Sequence, residues 1–142
     1  MKKVLVLFLI ALSPVLVEAR TKPTPRPQPL VFNHVTVIDM TGELLRPRHE
    51  GVSWRSFPVL DLTTPPNQAL KKAAQAIQMT QENGKLLVCC ALGFQRSAAA
   101  IAVWLVSSGH AKNAAEAMEI LKQTGRPIHL DPTIIDEVTR KK

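Results

Sequence analysis

The sequence predicts a small α/β domain in which helices pack on a short central sheet. Three observations predict it. Short β-branched or apolar runs of strand length recur at 35–38, 55–60 and 85–89. A helical period fills 68–82, between the last two of them. Helical patterns then take over the C-terminal part, so strands come first and helices crowd the end.

The elements follow in order. Val35-Thr36-Val37-Ile38 is a β-branched run that reads as a buried strand, and Thr41-Gly42 signals a turn. Arg55 to Leu60 (RSFPVL) reads as a second strand, with Pro58 pushing it to an edge or to its end. Asp61 to Asn67 (DLTTPPN) is a loop. From Gln68 to Glu82, Ala69, Leu70, Ala73, Ala76, Ile77 and Thr80 recur at steps of three and four, with Lys71, Lys72, Gln75 and Gln78 outward. Asn83-Gly84 ends that helix. Lys85 to Cys89 (KLLVC) is a continuous apolar strand of the kind covered on both faces. A loop, Cys90 to Gln95, leads into an Ala/Val/Ile/Trp/Leu helix from Arg96 to Ser107. Apolar nearly all round, that helix is expected to be buried, and Gly109 stops it. Asn113 and Glu116 form a capping box for a helix over Ala114–Gln123, with Gly125 beyond its end. Asp131-Pro132 opens a last short helix.

The 142 residues give room for one domain, and 46% hydrophobic content is too apolar for a disordered chain. A net charge of +7 suits an anionic partner: a phosphorylated protein, a phospholipid head group or a membrane surface. Nucleic acid is disfavoured. Tyrosine is absent, aromatics make up only 4%, and neither a zinc-finger spacing nor an RNP-like aromatic run occurs. Cys89 and Cys90 are adjacent and cannot staple distant segments. His34, His49, His110 and His129 show no ligand pairing, so no metal is expected.

Ahead of the folded part, Lys2 and Lys3 precede an apolar run from Val4 to Val17, and Val17-Glu18-Ala19 resembles a cleavage site. The run is shorter than the roughly 20 residues a spanning helix needs. Arg20, Lys22 and Arg26 follow it, and such charge favours a cytoplasmic side for what comes next. Residues 1–19 are therefore expected to be a signal peptide or membrane anchor, and the protein exported or membrane-anchored. The topology is open, with a cytoplasmic face as one arrangement. A Pro-rich linker over 20–29 follows, and the domain proper spans 30–142.

The chemistry concentrates at Cys90-Ala91-Leu92-Gly93-Phe94-Gln95-Arg96-Ser97, a C-x5-R-S run between a strand and a helix. Transfer of a phosphate monoester needs a nucleophile within a ring of backbone N–H groups, and a loop opening a helix N-terminus supplies such an anion cradle. The same field lowers a cysteine pKa from about 8.5 to roughly 3.5–7.5. Gly93 lets the loop turn back. Arg96 can fork two N–H groups onto phosphoryl oxygens. Ser97 can donate to the departing sulfur. Read without function, Cys90 ends a strand and Arg96 caps a helix.

This run resembles the active-site loop of cysteine-dependent phosphatases of the dual-specificity and protein-tyrosine type, H-C-x-x-G-x-x-R-S/T. The resemblance implies a dual-specificity-phosphatase-like fold. It implies Cys90 as nucleophile, Arg96 as phosphate clamp, Ser97 as its partner, and Ala91, Leu92, Gly93, Phe94, Gln95 and Arg96 as the phosphate-binding loop. The family also places an acid about thirty residues earlier, after a strand. Asp61, 29 residues before Cys90, occupies that place; a plain turn residue is the alternative. Ile38-Asp39-Met40-Thr41, Leu60-Asp61-Leu62-Thr63, Cys90-Ala91-Leu92-Gly93 and the stretch from Ala98 to Trp104 look similar to the phosphatase half of bacterial proteins that fuse a multi-span, lipid-phosphatase-like domain to a dual-specificity-type domain. Two departures stand out. Cys89 replaces the usual histidine, which implies a less acidic Cys90, and the N-terminal part of the domain is short.

The expected function is hydrolysis of phosphate monoesters through a phosphocysteine. The substrate is phosphotyrosine, phosphoserine/threonine or a phospholipid, and no cofactor is needed. The alternatives are a catalytically weak or inactive phosphate-binding module and a membrane-tethered interaction domain that kept only the fold.

Overall fold

The computed structural model describes residues 34–43, 49–82 and 84–140. The expected signal or anchor, the Pro-rich linker and Asn83 lie outside the described residues. Strand β1 spans Val35–Asp39, β2 Val52–Ser56 and β3 Lys85–Cys89; helix α1 spans Asn67–Gln81, α2 Arg96–Ser107, α3 Ala114–Lys122 and α4 Pro132–Thr139. The sheet order is β2-β1-β3 with both pairings parallel. Parallel neighbours need a crossover, and α1 supplies the one from β2 to β3, carrying the chain past the central β1.

Side chains alternate along the strands, so Ile38 and Met40 point together into the main core. There they join Leu70, Ala73 and Ile77 of α1 and Ala99, Ala102 and Val103 of α2. Alanines on both helices let the two backbones approach closely, and Trp104 Nε1 donates to Gln78 Oε1 at 2.8 Å to tie them. The expected burial of α2 holds: eight of its positions, Arg96 and Ser97 among them, are buried. Ile135 and Val138 of α4 close the same core. Asn113 caps α3 as expected, accepting from Glu116 N at 2.9 Å, while the Glu116 carboxylate reaches one residue further back, to Lys112 N at 2.7 Å. Asp131 caps α4 by accepting from Thr133 N at 2.9 Å.

Two expectations need correction. The second strand is Val52–Ser56, not Arg55–Leu60. Its pattern alternates half-buried with exposed, and Ser53 and Arg55 on the outer face hide it from a search for apolar runs. Past Ser56 the chain still runs alongside β1, with Phe57 N donating to Asp39 O and Val59 N to Met40 O. Pro58, which has no N–H, breaks the ladder between them. The second correction concerns β3, which among the described residues is covered on one face only. Leu86 and Val88 pack against the core, but Leu87 is 49% exposed. Among the described residues no helix is long and apolar enough to cross a membrane.

Candidate active site

Three parallel strands end side by side, and the segment leaving each supplies a polar residue to one place: Glu43 after β1, Asp61 after β2 and Cys90 after β3. Open parallel sheets gather ligands at this carboxyl edge because the loops there converge.

From β3 the chain passes through Cys90 and turns at Gly93, whose φ is 78°. A Cβ added there would meet nothing within 4 Å, so the backbone conformation, not space, calls for glycine. The turn aims Gly93 N at Cys90 Sγ, 3.2 Å away, and the Ser97 hydroxyl lies 3.3 Å from the same sulfur. Gln95 precedes α2 without a side-chain cap, so the helix opens toward the loop with its first N–H groups uncovered by a side chain. Burial pushes the Cys90 thiol up, but the Ser97 hydroxyl and the amides of Ser97, Gly93 and Leu92 outweigh it, and the pKa ends below the ordinary thiol value. Cys89 moves the other way. Burial raises it first, then the charges of Asp39 and Cys90.

Arg96, only 3% exposed, lies on the first turn of α2. Its Nη1 donates to Val59 O at 2.9 Å and to both Glu43 carboxylate oxygens, at 2.9 and 3.0 Å. Its Nη2 is 3.3 Å from Asp61 Oδ1. Desolvation raises the Glu43 carboxyl, but the Arg96 hydrogen bond and charge, with nearby backbone bonds, bring it below the usual range. Asp39 is also buried here, and its Oδ1 accepts from the Thr41 backbone N and hydroxyl, both at 2.8 Å, which shapes the turn toward Glu43.

A cavity of about 220 Å³ opens at this spot. Cys90, Arg96, Asp61, Leu62, Leu92, Phe94 and Gln95 line it. Of the residues singled out in the sequence, Ala91, Gly93 and Ser97 do not border it; Gly93 and Ser97 contact the sulfur, while Ala91 is exposed. Two residues escaped the sequence reading. Glu43 holds Arg96 from a position 53 residues away. His129 lines the cavity from the segment between α3 and α4, its N donating to Phe94 O at 3.0 Å and its ring meeting Phe94 edge-on at 6.0 Å. No local spacing signals either. Among the described residues no cluster of three or more His, Cys, Asp or Glu could hold a metal ion. A larger cavity of about 700 Å³ lies at the opposite end of α2, beside Trp104, Lys71 and Arg140, and contains none of these groups.

At the carboxyl edge of a parallel sheet, a thiol and a buried arginine thus meet on a loop that opens a helix. The model of the dual specificity phosphatase catalytic domain matches residues 27–138. The chain belongs to that family, and the membership supports a phosphatase. Solved structures share the fold. Tk-PTP in the active form matches with a TM-score of 0.62 and 20% identity, over 75% of this chain and 79% of that one. PTPMT1 in complex with PI(5)P matches with 0.58 and 22%, over 75% and 74%. Human DUSP28 matches with 0.64 and 19%, over 75% and 77%. No curated protein matches the sequence.

Proposed function

We propose that this protein hydrolyses phosphate monoesters, of phosphoprotein or phospholipid, through a phosphocysteine on Cys90. One observation carries the reading: the Cys90 sulfur sits at the mouth of α2 with the Gly93 amide at 3.2 Å and the Ser97 hydroxyl at 3.3 Å, beside a buried arginine. A thiol whose pKa is lowered there attacks as thiolate.

In the first step the Cys90 thiolate forms a bond to phosphorus, the bond from phosphorus to the ester oxygen breaks, and the leaving oxygen takes a proton from Asp61. In the second, water attacks the phosphocysteine, Asp61 takes its proton, and the P–S bond breaks to return the thiolate, which Ser97 stabilises by donating to the sulfur. The loop amides and Arg96 stabilise the charge on the equatorial oxygens. Both Nη1 hydrogens of Arg96 are used by Glu43 and Val59 O, so an arriving phosphoryl group meets its Nη2 and Nε edge. Asp61 now occupies part of that edge. A bound dianion would displace the Asp61 carboxylate toward the mouth, where a proton donor for the leaving group belongs. PTPMT1, whose fold this chain shares, has been solved with PI(5)P, which supports keeping phospholipid beside phosphoprotein as substrate.

The test is Cys90→Ser. Aryl-phosphate hydrolysis should fall to background while binding of a phosphate analogue such as vanadate or tungstate persists, because the cradle remains. Undiminished turnover in the variant would remove Cys90 as nucleophile. Binding without turnover in the wild type would instead make the chain a phosphate-binding module.

A further inference from the structure

The three most exposed large apolar side chains among the described residues are Leu62 at 92%, Leu60 at 72% and Leu92 at 69%. All three belong to the two loops that carry Asp61 and Cys90, and Leu62 and Leu92 border the cavity. Single exposed leucines are ordinary, but leucines gathered at the mouth of a site mark a contact surface. Leu62 adds a second, independent sign. Its φ of 56° is in the left-handed region, uncommon for a residue with a side chain, and nothing packs on that side chain in return. Backbone strain of this kind persists at functional sites.

We propose that this leucine rim inserts into a lipid bilayer, and that the substrate is a lipid phosphomonoester presented at a membrane surface. The inference rests on the phosphatase reading and narrows its substrate. A phosphopeptide would need polar partners at the mouth for its backbone and flanking side chains. The two loops that carry Asp61 and Cys90 instead expose Leu60, Leu62 and Leu92. A bilayer accepts apolar side chains at the level of its headgroups, where a lipid phosphate also lies. The charge of the chain fits the same occupant. The apolar run Val4–Val17 is flanked by Lys2, Lys3, Arg20, Lys22 and Arg26, a composition complementary to anionic lipid. The reaction consumes water and yields inorganic phosphate and the lipid alcohol.

The experiment uses the full chain and measures released phosphate. The substrates are phosphatidylcholine vesicles carrying phosphatidic acid or a phosphatidylinositol monophosphate, the dihexanoyl forms of the same lipids below their micelle concentration, a phosphotyrosyl peptide and an aryl phosphate. The wild type should turn over at least one vesicle lipid about tenfold or more faster, by kcat/KM, than its dihexanoyl form and than the peptide. Replacing the rim, Leu60→Gln with Leu62→Gln, should reduce the vesicle-to-monomer ratio about tenfold. Because Val4–Val17 is present in both proteins, the change in ratio reports the rim. Should that pair fail to fold, Leu62→Asn, which suits left-handed backbone, gives the same readout with a smaller drop. A peptide preferred over every vesicle lipid, or a ratio that the rim variants leave unmoved, overturns the membrane proposal and leaves the phosphatase intact. Release from none of the substrates, the aryl phosphate included, overturns both.

Discussion

Removing the Ser97 hydroxyl is the sharpest perturbation of the proposed nucleophile. Ser97 lies 3.3 Å from Cys90 Sγ and, once the thiol ionises, can only donate to it. A hydrogen bond to a charged group contributes about 1.5–3 kcal/mol. Cys90 is only partly buried, so the lower half of that range applies, and at about 1.4 kcal/mol per unit the loss corresponds to a rise of roughly one to one and a half pKa units. The amides of Ser97, Gly93 and Leu92 remain and prevent a full return to the ordinary thiol value. The assay is iodoacetamide alkylation against pH in a Cys89→Ser background, where Cys90 is the sole thiol of the chain. The midpoint of alkylation should move up in Ser97→Ala. The direction of the activity change follows: the thiolate is the reactive form, so loss of rate is greatest on the acid side and shrinks as pH rises past the new pKa. Phosphocysteine breakdown, which expels the same sulfur, should also slow and leave a burst of leaving group. A folded Ser97→Ala protein whose midpoint stays within about 0.3 units of its parent would refute the reasoning, because a shift expected to exceed one unit would be missing.

Asp61→Asn should slow alkyl phosphates by on the order of a hundredfold while aryl phosphates with good leaving groups lose much less, since only the former need the proton; equal slowing of both would make Asp61 a loop-shaping residue. Glu43→Gln keeps one hydrogen bond to Arg96 Nη1 and drops the charge, so kcat should fall about tenfold or more through misplacement of the guanidinium. Glu43→Asp, whose shorter arm shifts the contact but keeps the charge, should recover part of the loss, and an unchanged kcat in Glu43→Gln would show that Val59 O alone positions Arg96.

Much of the fold was legible because its elements carry their own signals. Val35–Ile38 is a β-branched run, Leu86–Cys89 an apolar one, and Ala69, Leu70, Ala73, Ala76, Ile77 and Thr80 of α1 recur at helical steps. β2 was misplaced because its half-exposed alternation reads as polar, whereas the apolar stretch after it is extended chain beside β1. The position of β3 in the sheet was also beyond reach: composition reports how apolar a strand is, not which neighbours the topology gives it. The same division runs through the site. Cys90, Gly93, Arg96 and Ser97 are close in sequence, and the loop that joins them follows from that spacing. Glu43 and His129 enter through the ends of other elements, brought in by strand order and by the path between α3 and α4. A buried arginine implies counter-charges, since an unpaired buried guanidinium is costly. Searching for acids after each strand would have found Glu43 as well as Asp61.

Cys89 tests how the pieces combine. Histidine at that position could add positive charge near the nucleophile, and a thiol cannot. Here the thiol is itself held above its ordinary pKa by burial and by the charges of Asp39 and Cys90, so near neutral pH it stays protonated and adds no negative charge beside the thiolate. Cys89 therefore withholds help without opposing ionisation, and the lowering of Cys90 falls to Ser97 and three loop amides acting against burial. With fewer contributors, each one matters more. The Ser97 hydroxyl is the only side chain among them, so a substitution can delete it without disturbing the backbone cradle. The chain's departure from the family pattern at Cys89 thus raises, rather than lowers, the weight carried by Ser97, the second residue of α2.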